Sequence, residues 1–347
     1  MASSRQQLQH TYTLSNDDCF ILYGDSIIQQ FFSPYNTFAF GAALADVYAR
    51  KLDVVNRGLC GYNTLQALRT LSMSLPHPEK AQVKFLLLMF GANDARISNP
   101  YGGPDKSVGI EDFQRNLRHM VCDPSVKAHG EDVHIILVTT PPVDERTYLK
   151  SDQDEYAHLG QMLRRTAAHT ALYAQAVRDL GEETGVPVLD IHRAMLALAG
   201  HDHLSAPLPG SMEAATNATL QSFLVDGVHF SGEGYRLLFT ELMILIEREW
   251  PEAMPNSLPL RLPAWDCHSA RKTEMDEAGK EEILKSGGEG NGGGGSGGGM
   301  VGSENMQGRE RLVVGKFEGF VSEVDGWGRS WKGGGQSEGG CGTNIRL

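Results

Sequence analysis

The chain has 347 residues, 41% of them hydrophobic, and a net charge of −12 from 31 Lys and Arg against 43 Asp and Glu. A chain this long can bury a substantial core, and its acidity argues against general attraction to nucleic acid or to an anionic membrane surface. Five scattered cysteines (Cys19, Cys60, Cys122, Cys267, Cys341) form no CxxC pair, so they suggest neither a disulfide framework nor a zinc site.

Residues 1–18 are polar and lack the apolar core of a signal peptide. No apolar run approaches the length of a membrane span, and the expected setting is a reducing cytoplasm. In that setting the Asn217-Ala218-Thr219 sequon reads as chance. Five strand-like runs follow: Cys19–Tyr23, Asp53–Asn56 (the weakest), Phe85–Phe90, Val133–Thr139 and Val186–Ile191. Between them Phe38–Lys51, Thr64–Leu75, Asp112–Val121 and Glu155–Thr184 suit helices. A last helix is expected over Ser231–Glu249, with Ser231 as N-cap and Gly234 an imperfect capping-box partner. Strands alternating with helices predict an α/β fold with one parallel sheet covered on both faces. Pro251, Pro255, Pro259 and Pro263 suggest an extended strap that closes the domain near Trp265. From Ser286 onward lie 22 of the 40 glycines, so the domain is expected over 19–265. Residues 266–347 then read as a glycine-rich tail, either disordered or the product of an imperfect gene model.

Four polar motifs follow these runs or open a helix: Gly24-Asp25-Ser26, Asn56-Arg57-Gly58, Gly91-Ala92-Asn93-Asp94 and Asp226-Gly227-Val228-His229. In a parallel sheet such loops share one edge, where ligands bind. Ser26 stands at a strand-to-helix junction as a candidate nucleophile, although a serine there can also simply cap the helix. Serine needs a neighbouring base, and His229 suits that role. Asp226, three residues earlier, can fix its tautomer. The alternative is an Asx turn with His229 at the surface. Asn93 offers a side-chain donor and Gly58 a backbone N–H unshielded by a side chain. With the Ser26 N–H they would form an oxyanion hole, though each is also a common turn residue.

These four blocks, in this order and spacing, resemble those of the SGNH, or GDSL-type, hydrolases. The Asn56–Thr64 phrase and the Gly-Ala-Asn-Asp form resemble the isoamyl acetate-hydrolysing esterase branch, and the likeness spans Phe20–Trp265. Ile27 stands where the family motif has leucine. The resemblance implies a flavodoxin-like three-layer α/β/α sandwich on a five-stranded parallel sheet. It implies Ser26 as nucleophile, His229 as base and Asp226 as its partner. Ser26 N–H, Gly58 N–H and the Asn93 side chain become the oxyanion hole. The implied reaction is hydrolysis of short acyl esters, acetates above all, of small alcohols through an acyl-enzyme. A thioesterase, lysophospholipase, carbohydrate acetylesterase, alcohol acyltransferase or catalytically silent acyl-ligand binding module are the alternatives.

No metal or organic cofactor is needed for this chemistry. The partner expected is a small-molecule ester, with no nucleic acid and no stable membrane insertion; a homodimer is one option for the assembly. Phe31, Phe32, Tyr35 and Phe38 could wall the alcohol side of the substrate, or could simply pack the first helix. His201-Asp202-His203 resembles a metal cluster but has no clear further ligand, so solvated side chains are expected there. Gly294-Gly295-Ser296-Gly297-Gly298 satisfies GxSxG inside low-complexity glycine and lacks the strand and helix that motif requires. Asp25 and Asp94 are expected to tie their own loops.

Overall fold

The computed structural model describes residues 18–33, 37–98, 105–156 and 162–261. Five strands, β1 (Cys19–Gly24), β2 (Asp53–Gly58), β3 (Val83–Met89), β4 (His134–Val138) and β5 (Val188–Leu189), pair in parallel in the order β2-β1-β3-β4-β5. This is the flavodoxin-like order, with the switch point between β1 and β3.

Alternation along each strand splits the core into two layers. Phe20, Leu22, Phe85, Leu87, Ile136 and Val138 face one side, while Ile21, Tyr23, Leu86, Leu88 and Leu137 face the other. The first side is covered by α1 (Ser26–Gln29), α2 (Phe40–Val47), α8 (Ile191–Leu198) and α10 (Gly232–Glu249), through residues such as Phe40, Met195 and Leu242. The second is covered by α3 (Thr64–Ser74), α4 (Ile110–Val121) and α7 (Ala167–Thr184), through Leu71, Phe113 and Tyr173. The result is the expected three-layer sandwich. β1 and β3 read as continuous apolar runs because both faces are buried. β2 read weakly because it is an edge strand with Asp53 and Arg57 exposed.

Three expectations need correction. The long helix expected over Glu155–Thr184 is two helices, α6 (Glu145–Tyr156) and α7, with residues 157–161 outside the description. Thr166 is extended and caps α7, its Oγ1 accepting from His169 N at 3.1 Å. The fifth strand stops at Leu189 because Asp190 caps α8, its Oδ1 accepting from Arg193 N at 3.1 Å. The proline-rich exit is no extended strap. Pro251–Ala253 forms one 3-10 turn, and Ser257 N and Leu258 N both donate to the Met254 carbonyl. Pro251 opens that turn, where its fixed φ and missing N–H cost nothing. Two short helices, α5 (Pro124–Lys127) and α9 (Ala218–Ser222), complete the set among the described residues. Residues 1–17 and the expected tail lie outside the description.

Candidate active site

The site forms where β1, β2 and β3 end side by side. Gly24 pairs with Gly58 on one side and Met89 on the other, so the loops that follow share one edge. Asp25, not Ser26, caps α1: its Oδ1 accepts the Ile27 N–H at 2.9 Å. Ser26 is therefore the first helical residue, with its hydroxyl uncommitted to capping. Tyr235, on α10, donates its hydroxyl to the Ile27 carbonyl at 2.6 Å and pins this four-residue helix from 208 positions further along the chain.

Ser26 Oγ stands 2.8 Å from His229 Nε2, and His229 Nδ1 stands 2.6 Å from Asp226 Oδ2. The Asx turn and the carboxylate–imidazole contact coexist, and His229 is half-buried rather than a surface residue. Oδ1 of Asp226 makes the Asx turn, accepting from Val228 N at 3.0 Å and His229 N at 2.8 Å, which frees Oδ2 for the imidazole. Burial alone would raise the Asp226 carboxyl, but the hydrogen bond and charge of His229 and the two backbone N–H groups outweigh it and hold it at about 2. The loop is closed by Val225 N donating to the His229 carbonyl at 2.8 Å, and anchored by Asp144 N donating to the Gly227 carbonyl at 2.9 Å. Gly227 has φ +85, and a Cβ there would lie 2.5 Å from the Asp144 carbonyl oxygen, so only glycine fits.

Asn93 follows β3 and is buried. Its Nδ2 donates to the Tyr62 carbonyl at 2.9 Å, leaving one N–H for another oxygen. Below it Asp94 accepts from both Thr64 N (2.9 Å) and Thr64 Oγ1 (2.5 Å), tying the β3 loop to the start of α3 as expected. Burial pushes the Asp94 carboxyl up to about 7 and Asp25 up to about 6.

The sequence that builds these elements matches a known family. The chain matches the profile of the GDSL-like Lipase/Acylhydrolase family over residues 22–237. An isoamyl acetate-hydrolyzing esterase of Saccharomyces cerevisiae is 30% identical over 252 residues, covering 71% of this chain and 93% of that protein. A GDSL esterase/lipase of Arabidopsis thaliana is 32% identical over 244 residues, covering 69% of this chain and 90% of that one. A solved lipase/acylhydrolase from Enterococcus faecalis superposes with a TM-score of 0.45 at 22% identity, over 71% of this chain and all of that one. The chain belongs to the GDSL-like lipase/acylhydrolase family. It is accordingly an esterase of the acylhydrolase type.

Within this GDSL hydrolase, Gly58 does not do what its sequence position suggested. Its N–H donates to Asn56 Oδ1 at 2.8 Å, and a Cβ on it would lie 2.0 Å from Gln29 N. The glycine is there so that β2 can lie against α1. Asn56 fastens the same junction, its Nδ2 donating to the carbonyls of Ile28 (3.2 Å) and Gln29 (3.1 Å). The other glycine of this loop, Gly61, has φ +79 and precedes Tyr62, whose carbonyl holds Asn93. Among the described residues nothing accepts the Gly61 N–H. Sequence offered no reason to choose between two glycines three residues apart.

Of the two options for the aromatic cluster, Phe31 and Phe38 take packing. Phe31 is fully buried and packs edge-on against Phe40, so it presents no face to a ligand. Phe38 packs against Phe239, with Arg236 over its ring. Phe32 is 40% exposed, and Tyr35 lies outside the described residues. In the His201–His203 segment Asp202 accepts from Leu204 N and Ser205 N in a turn of its own. Among the described residues no three His, Cys, Asp or Glu side chains stand together as a metal-ligating group. Among them, too, no helix is long and apolar enough to cross a membrane.

Proposed function

We propose that this GDSL hydrolase cleaves short-chain acyl esters, acetates in particular, of small alcohols in the cytoplasm. The observation that carries the reading is the continuous relay from Ser26 Oγ through His229 to Asp226, at 2.8 and 2.6 Å. Similarity to the yeast isoamyl acetate-hydrolyzing esterase supports the choice of acyl group.

In this reading Ser26 Oγ attacks the ester carbonyl while His229 Nε2 takes its proton. Asp226, ionised far below neutrality, keeps the Nδ1–H tautomer and stabilises the imidazolium. The oxyanion develops against the Ser26 N–H, the Gly61 N–H and the second N–H of Asn93. His229 then protonates the departing alcohol, and a water deprotonated by the same imidazole releases the acid. The substrate is a small-molecule ester, and every step is carried by these side chains and backbone amides.

Ser26→Ala tests the assignment. It should abolish turnover of p-nitrophenyl acetate, by roughly 10⁶-fold, with an unchanged circular dichroism spectrum. Turnover at the wild-type rate would remove Ser26 from the chemistry. A panel of acetate, butyrate and decanoate esters, thioesters, lysophospholipids and acetylated sugars should rank simple acetates first. A clear preference for any other member would overturn the substrate class while leaving the nucleophile standing.

A further inference from the structure

Beneath Asn93 lies a buried cationic cluster that the mechanism above does not use. Arg96 and Arg164 both contact Asp152, with Arg164 forked across its two carboxylate oxygens at 2.9 and 2.7 Å. Tyr148 donates to the same carboxylate at 3.0 Å. The backbone of residue 164 accepts from Ile97 N at 2.7 Å, which draws this segment alongside the β3 loop. Arg165 is thereby delivered to Asn93. Its Nη2 donates to Asn93 Oδ1 at 3.3 Å, its Cζ lies 5.4 Å from the centre of the Tyr148 ring, and it is 8% exposed. Among the described residues its Nε has no hydrogen-bond partner.

A buried guanidinium with an unsatisfied donor is expensive, so packing alone gives no reason for it. The amide it touches supplies one. Asn93 accepts from a cation at Oδ1 and donates to the Tyr62 carbonyl through Nδ2. Those two partners fix which end of the amide is which, and the only direction left for the remaining N–H is away from both. A positive charge on the carbonyl end also polarises the amide, making that N–H a stronger donor. In a low-dielectric site the charge itself favours a developing oxyanion nearby.

We propose that Arg165 is a positioning residue of the oxyanion hole, orienting and polarising the Asn93 amide through its Oδ1. The inference rests on the reading of Asn93 as an oxyanion donor, and it makes a separate demand: Arg165 must act through Asn93.

The test is a double-mutant cycle on the full chain, with kcat and KM measured on p-nitrophenyl acetate for R165M, R165K, N93A, N93A/R165M and N93A/R165K. Removal of a donor costs roughly 10²-fold in kcat or more, so N93A should fall by that much. R165M should lose about tenfold in kcat with KM within about twofold, since misdirection of a donor costs only part of its contribution. R165K keeps the charge without the planar fork and should fall between R165M and wild type. In the N93A background both Arg165 substitutions should change kcat by less than about twofold. An unchanged kcat in R165M, or the same loss in both backgrounds, would overturn the proposal while sparing the role of Asn93. A wild-type kcat in N93A would overturn both. Should R165M not fold, the R165K arm is read by the same criteria.

Discussion

Asp94 follows Asn93 in the loop after β3, with its carboxyl pushed up to about 7 by burial, while its ordinary value is 3.8. The folded state therefore binds a proton that the unfolded chain releases between about pH 4 and 7. Where the native state holds more protons, stability falls as pH rises. The contribution of Asp94 is neutral below about pH 4, grows steadily unfavourable through pH 7, and is constant above it. At about 1.4 kcal/mol per pH unit, the gap between 3.8 and about 7 amounts to roughly 4 kcal/mol. Asp94→Asn keeps an oxygen for the two Thr64 donors and removes the ionisation. Urea unfolding of both proteins from pH 3.5 to pH 8 gives two stability profiles, and their difference cancels the other titrating groups. The variant should be close to wild type at pH 3.5 and should gain on it by a few kcal/mol by pH 8. A difference that stays flat with pH, or that grows in favour of wild type, would refute the argument that burial raises the Asp94 carboxyl.

Asp226→Asn should retain the Asx turn through Oδ1 but face His229 Nδ1 with an NH2 group, forcing the tautomer whose Nε2 carries the proton toward Ser26. The expected loss in kcat is about 10⁴-fold, less than for Ser26→Ala; a loss under tenfold on p-nitrophenyl acetate would reject Asp226 as the orienting group. Gly227→Ala places a Cβ at φ +85 against Asp144 and Tyr148 backbone atoms, and should cost at least ~2 kcal/mol in stability while lowering kcat through displacement of His229. Thermal melting and kinetics check it together, and an unaltered midpoint with an unaltered kcat would show that the loop has room to spare.

The candidate site residues were legible in the sequence because each is placed by a short local rule. A buried strand announces itself as an apolar run, and the polar residue after it stands at the sheet edge, as Ser26 and Asn93 do. Asp226 and His229 are joined by a three-residue turn, so their contact is nearly local. What the sequence hid is long-range. Asn56 reaches the end of α1 across 27 and 28 positions, and Arg165 meets Asn93 across 72. Nothing in the local pattern distinguishes these from ordinary surface polar residues. The proposed choice of Gly61 over Gly58 has the same origin: the two lie three residues apart, and what separates them is the Asn56 acceptor and the close Gln29 backbone at Gly58. The break between α6 and α7 was masked because Thr166 caps from within a stretch whose composition suits helix on both sides.

The sequence span between Ser26 and His229 has a consequence for biosynthesis. Ser26 emerges from the ribosome early, while the imidazole it meets, His229, is 203 positions downstream and the Tyr235 clamp on α1 is later still. A nascent or prematurely terminated polypeptide ending before His229 carries the alcohol without the group that activates it. On the proposed reading, hydrolytic competence waits until translation has passed His229 and Tyr235.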